Sequence, residues 1–402
     1  MRTGYRAARV FDGVAAQPLA DGMVVVEDER IVAVARVADG VSVDRTVDLG
    51  DATLLPGLID AHVHLVWSAC GMPHEVVASE GAHMTVLRAA RNARLHLEAG
   101  VTTIRDVGST DGIALDIAQA IDLGVVPGPR VVAAGRAIAM TGGHAHYLGR
   151  EADGCDAVRH AVRSEIKAGA RCIKLMASGG VYGHAEEIGN PQLTVPEMAV
   201  AIEEAHNAGK RATAHAYTPR AMANALDAGV DSIEHGSFLT PEVAERMRAR
   251  GCYLVPTLSV YQAMHDGAAS FDAPEYLRRK TIQVMEASRA AFRLAREMGV
   301  PLAAGTDCGS PGHPHGTIAN ELALMVACGA SPVQALGYAT AAAAALLGLE
   351  REIGTLEPEK RADLVAVAGN PLDDINAVRG VKLVVRDGRE IFPTWQTKEA
   401  NR

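Results

Sequence analysis

The chain is poor in aromatic side chains, with 4% Phe, Trp and Tyr, and no uninterrupted apolar run is long enough to cross a bilayer. The first scarcity leaves core filling to aliphatic residues; the second excludes a membrane helix. Basic blocks are missing too. The net charge of −9 is spread over 402 residues, which argues against nucleic acid or an anionic membrane as partner and leaves a small-molecule substrate. Six cysteines lie far apart without a Cys-x-x-Cys pair, so neither a zinc knuckle nor a disulfide framework is expected. Cys308 follows Asp307, but without a dedicated base nearby in sequence it reads as a small packing residue. The N-terminal MRTGYRAARVFDG carries no apolar core of signal-peptide type, and the expectation is a cytoplasmic homo-oligomer.

What is present is 48% apolar residues, enough for a large core, in two patterns. Up to about Leu54 the chain reads as short alternating strands broken by turns, and β character returns in ADLVAVAG and VKLVVRDGREIF. Between these ends, apolar strands alternate with Ala-rich amphipathic helices, the mark of parallel β/α units. Eight strand candidates can be counted: GLIDAHVHL, VTTIRDVG, RVVAAGRAI, CIKLMASGG, RATAHAY, DSIEHGS, YLVPTLS and PLAAGTD. Eight is the number that closes a TIM barrel. The expected architecture is therefore α/β, a (β/α)8 barrel over residues 56–354 with a small β-sandwich built from residues 1–55 and 355–402. Thr194, Thr218, Thr240 and Ser331, each at or just before a Pro, are expected helix caps, and one helix is expected over Pro332–Leu347.

The chemistry-bearing stretch is LIDAHVHL. Alternation along a strand points His62 and His64 the same way, as a pair of metal ligands would be. Four later strands end in a polar group: Lys174, His215, His235 and Asp307. In a barrel of this kind all six lie at the C-terminal mouth, where catalytic groups gather. Neutral imidazole and carboxylate are what zinc prefers. An ammonium cannot bind a metal, so Lys174 is either a buried lysine paired to a carboxylate or a lysine that has taken up carbon dioxide. The carbamate is anionic and bidentate and could bridge two zinc ions, giving each a sensible ligand count, which favours the bridge.

These stretches, together with PGLIDAHVH, GTD and ATAAAAALLGLEREIGTLEPEKRADLVAV, resemble the amidohydrolase superfamily over nearly the whole chain. TTIRDVG, TGGH, KLMASGG, AHAYT and IEHG are similar to the branch of metal-dependent dipeptidases of prolidase and Xaa-Arg type, imidazolonepropionase-like hydrolases and ochratoxin-type amidases. The resemblance implies two divalent metals, zinc by expectation, with His62, His64 and Asp307 on the more buried one and His215 and His235 on the other. Lys174 would bridge them as N6-carboxylysine. It further implies that His144 lies over the substrate carbonyl and that Tyr217 hydrogen-bonds the substrate. A metal-bridging hydroxide would then attack an amide of a dipeptide or N-acyl amino acid, with Asp307 as proton shuttle.

Alternatives are hydrolysis or deamination of a cyclic amide or heterocycle, an esterase or lactonase, and a barrel that has lost its chemistry. Deaminating relatives place a glutamate three residues after the strand 5 histidine, where this chain has Thr218; nor is any expected ligand missing. His96, His160, His206 and His265 read as surface or packing residues. His146 and His184 in strand-end loops, and His313 and His315 in CGSPGHPHG, are open between substrate contact and solvated loop. Tyr182, Arg105, Arg136 and Arg220 are further candidates for contacting substrate.

Overall fold

The computed structural model describes residues 1–184 and 186–392. Barrel strands 1 to 7 are Leu58–Val63, Val101–Asp106, Arg130–Ala133, Cys172–Met176, Arg211–Ala216, Ser232–His235 and Tyr253–Val255. Strand 3 bends at Gly135, where φ is 71°, and resumes at Ala137–Ala139. Each strand pairs in parallel with the next, the resumed part of strand 3 making the pairing to strand 4. The eighth segment, PLAAGTD, forms no continuous ladder. It is held by parallel bridges Leu254 to Leu302 and Val63 to Cys308, which seat it between strands 7 and 1 and close the ring. Gly305 explains how close it comes, because a Cβ there would lie 2.8 Å from the Cβ of His62.

Helices Ala82–Glu98, Ile113–Asp122, Cys155–Lys167, Val195–Asn207, Pro219–Ala228, Pro241–Arg250 and Glu275–Glu297 lie between the barrel strands, and Ile318–Ala327 follows the eighth segment. Thr194 and Ser331 form capping boxes, and Thr240 Oγ1 accepts from Val243 N. Pro332–Leu347 is corrected: it is two helices, Pro332–Tyr338 and Ala341–Leu347. The carbonyls of Tyr338 and Ala339 are taken by the backbone NH groups of Ala304 and Ile59, at 2.8 and 2.7 Å, so the barrel claims them at the break.

Both chain ends build one continuous eight-stranded sheet, in which Ala52–Pro56 pairs antiparallel with Leu364–Ala368. It has a core of its own, including Tyr5, Val24, Ile31, Leu54, Leu364 and Val385. Residues 393–402 of the expected small domain lie outside the described residues. Gly57 joins the sheet to strand 1, and Arg130 of strand 3 pairs with Asp363 and Asp387 at 2.6 and 2.7 Å. The barrel mouth is thereby built on a base fixed by residues from the far end of the sequence.

Candidate metal centre

The strand ends bring the four histidines together. Ring centroids of His62 lie 5.4 Å from His64 and 5.0 Å from His235, and His215 lies 4.8 Å from His235. Asp307 Oδ1 stands 3.7 Å from His62 Nε2 and 3.5 Å from His64 Nε2. Backbone strain helps to aim these groups: His235, Asp307 and Thr257 have φ of 70°, 58° and 47°, a left-handed conformation that L-residues with side chains rarely adopt. At the ends of strands 6 and 8 it turns the polar side chain into the mouth.

One nitrogen of every imidazole is held by protein. His62 Nδ1 meets Glu234 Oε2 at 2.6 Å, His64 Nδ1 meets Gly108 O at 2.9 Å, and His235 Nδ1 meets Thr257 Oγ1 at 2.7 Å. His215 is held the other way round, through Nε2 to Gly179 O at 3.1 Å. The free nitrogens are thus Nε2 of His62, His64 and His235 and Nδ1 of His215. This is the arrangement that fixes the tautomer of metal-binding histidines. Burial lowers all four, His62 to about 4 with Lys174 adding to the effect, so each is neutral near pH 7 and offers a lone pair.

Asp307 Oδ1 is buried with no hydrogen-bond donor, a costly state for a carboxylate unless something else satisfies it. Burial raises the Asp307 carboxyl and lowers the Lys174 ammonium. Lys174 is 2% exposed on strand 4. A donor set of neutral imidazoles around an orphaned carboxylate fits divalent metal, and His62, His235 and Asp307 offer ligand atoms within 4.8 Å of one another.

His144 stacks on His215 with centroids 4.2 Å apart, and its Nδ1 meets Glu186 Oε1 at 2.9 Å. Tyr217 stacks on His235 and shares a 2.8 Å hydrogen bond with the Tyr261 hydroxyl. Trp67 covers His64 at 4.6 Å, and Tyr182 meets Trp67 edge-on at 5.4 Å. His62, His64, His215, His235, Asp307, His144 and Tyr217 are therefore at one mouth, and Lys174 lies buried on strand 4 within the electrostatic reach of Glu234 and Asp307.

Other expectations change. Arg105 does not reach the mouth: it lies inside the barrel, 1% exposed, donating to Ala61 O at 2.6 Å, Ser232 Oγ at 3.2 Å and Glu234 Oε1 at 2.7 Å. A guanidinium on an inward position of a strand is swallowed by the barrel, and Glu234 is its counter-charge. Arg136 pairs with Glu165, and Arg220 is exposed. His313 and His315 are buried, bonded to Ser259 and to His96 with Trp67 O, so they are not solvated loop residues. His146 and His184 are exposed. Burial pushes the Cys308 thiol up to about 12, in keeping with packing.

Sequence reading missed Glu234, Glu186, Trp67, Thr257 and Tyr261. For Glu234 a signal existed, since a carboxylate in the apolar strand DSIEHGS requires a buried partner.

Residues 53–391 match the model of the amidohydrolase family. Ochratoxinase from Aspergillus niger is 31% identical over 375 residues, covering 84% of this chain and 75% of that protein. A crystal structure of a Xaa-Pro dipeptidase with methionine bound in its active site superposes with a TM-score of 0.90 at 33% identity, covering 97% of this chain and 100% of the other. A prolidase complexed with N-methylphosphonate-L-proline gives 0.91 at 32% identity, covering 97% and 99%. With a parallel barrel, a cluster of neutral imidazoles around a buried carboxylate and these likenesses, the chain belongs to the amidohydrolase family and is a hydrolase acting on carbon–nitrogen bonds.

Proposed function

We propose that this protein is a two-metal amidohydrolase that cleaves the amide bond of a dipeptide or N-acyl amino acid. The observation that carries the reading is the tethering of one nitrogen on each of four imidazoles, leaving the other free beside the orphaned Asp307 oxygen. His62, His64 and Asp307 would hold one metal and His215 and His235 the second. Lys174, whose ammonium is lowered by burial, is suited to react as the free amine with carbon dioxide, losing a proton and becoming the bridging carbamate. Bound there, divalent zinc supplies a water acidified towards neutrality and a Lewis acid for the carbonyl oxygen.

The chain's own groups do the rest. Asp307 accepts the proton of the attacking water and returns it to the leaving nitrogen, which must be protonated to depart. His144 donates from Nε2 to the oxygen on which negative charge develops. Tyr217 orients the acyl group, its hydroxyl fixed by Tyr261. Trp67 and Tyr182 exclude bulk water. The similar dipeptidase holds methionine in its active site and the similar prolidase is complexed with N-methylphosphonate-L-proline, which supports the substrate class for this chain. We read residues 1–55 and 355–402 as a separate small β domain that braces the barrel base.

The test is elemental analysis of the purified chain together with a screen of dipeptides and N-acyl amino acids. About two equivalents of metal are expected, and Lys174→Ala should lose metal and turnover, with partial rescue by a small carboxylate standing in for the carbamate. A Lys174→Ala protein that is metal-poor yet fully active would sink the reading.

A further inference from the structure

His144 sits in a seat made by the loop after strand 4, and that seat has a use the mechanism above leaves unassigned. A Cβ on Gly180 would overlap the His144 ring, and a Cβ on Gly183 would overlap the Glu186 carboxylate. Only glycine at these places lets the two side chains lie where they do. Glu186 Oε1 accepts from Gly183 N at 2.9 Å and faces His144 Nδ1 at 2.9 Å, while Gln192 Oε1 accepts from His144 N at 2.9 Å. The loop itself is clamped from outside. Lys280, on helix Glu275–Glu297, donates to Gly183 O at 2.8 Å and to the Glu186 carbonyl, and Tyr276 donates to Tyr182 O at 3.1 Å.

We propose that Glu186, seated over Gly183 and held by Lys280, is a positioning residue that fixes the orientation of His144 and holds a proton on its Nδ1. An ionised carboxylate accepts and does not donate, so the contact requires a proton on Nδ1 and turns Nε2 the other way, towards the substrate; a ring that also donates from Nε2, as in the proposed function, is the imidazolium, and Glu186 is its counter-charge. The carboxylate is suited to this: burial works against its charge, but His144 and the NH groups of Gly183 and Gly180 hold it down to about 2. Glu186 is placed to act only through His144. The inference rests on the role given to His144 in the proposed function.

The experiment is a double-mutant cycle on the zinc-loaded full chain, with p-nitrophenyl acetate as the probe and zinc measured on every variant. Glu186→Gln should lower kcat roughly 10- to 100-fold, leave KM within about two-fold and keep the metal, because the contact serves the transition state. In a His144→Asn background the same change should have no further effect. Gly180→Ala, which alters no charge, should reproduce the loss seen with His144→Asn. A readout independent of turnover is nitrogen NMR of the histidine rings, in which the Nδ1 proton of His144 is expected in the parent and lost from its fixed position in Glu186→Gln. If the Glu186→Gln loss carries over in full to the His144→Asn background, or the His144 ring signals do not change, the proposal is overturned. If His144→Asn alone keeps parental turnover, the role of His144 falls instead, and the ring signals still decide whether Glu186 fixes it.

Discussion

Glu234→Gln tests the site at its deepest point. The carboxylate is fully buried; Oε2 meets His62 Nδ1 at 2.6 Å, and Oε1 accepts from Arg105 at 2.7 Å, from Ser232 Oγ at 3.0 Å and from Thr213 Oγ1. Burial alone would raise it, but Arg105 and then His62 hold it well below the usual carboxylate range, so it is charged at neutrality. An amide cannot serve both sides. With its oxygen towards Arg105, the NH2 group donates to His62 Nδ1, which moves the ring proton to Nε2 and removes the lone pair needed for metal. With its oxygen towards His62, the NH2 group faces a guanidinium in a dry interior. Removing one charge of a buried pair costs roughly 3–5 kcal/mol, and losing the partner of a metal-binding histidine lowers metal affinity roughly 10- to 100-fold. Chelator competition for zinc and urea unfolding of the metal-free chain read the two effects separately. If Glu234→Gln matches the parent in both, the reasoning that the carboxylate sets the His62 tautomer is wrong.

Three further outcomes are expected. Cys308→Ala should keep turnover within roughly two- to three-fold and should not alter the response to thiol reagents, since the thiol is buried and pushed up to about 12; a loss of activity matching that of Lys174→Ala would make Cys308 a participant. Gly57→Ala should destabilise by about 1–3 kcal/mol, measured by urea midpoint, because a Cβ there would overlap Thr102 where the end-built sheet meets strand 1. Burial raises Glu321 from 4.5 to about 7, while it accepts from Leu258 N and Ser259 N at 2.9 and 2.7 Å. The stability tied to its protonated form is complete below 4.5 and is lost as pH rises through about 7. Urea midpoints across that window should fall more steeply for the parent than for Glu321→Gln, and parallel curves would refute the assignment.

The sequence by itself determined the alternation of strands and Ala-rich helices, the ring of eight, and the series of polar strand ends His62, His64, Lys174, His215, His235 and Asp307 that we propose as ligands. These are local patterns: period-two strands ending in imidazole, amine or carboxylate carry the information within each strand. His144 and Tyr217 entered by family resemblance, and the structure brings both to the same mouth. Tertiary structure alone decided what holds these side chains. Glu234 reaches His62 across the barrel, 172 positions away, and Glu186 reaches His144 from a loop 42 positions on, so neither pairing leaves a mark in local periodicity. The same holds for Arg105, whose charge suggested a substrate contact until the closed barrel enclosed it beside Glu234. It holds also for the break after Tyr338, where the helix carbonyls are taken by strand NH groups that only the closed ring brings within reach. A chain can write its donor types in short motifs, but which nitrogen of each imidazole is free depends on partners that meet only when the barrel closes.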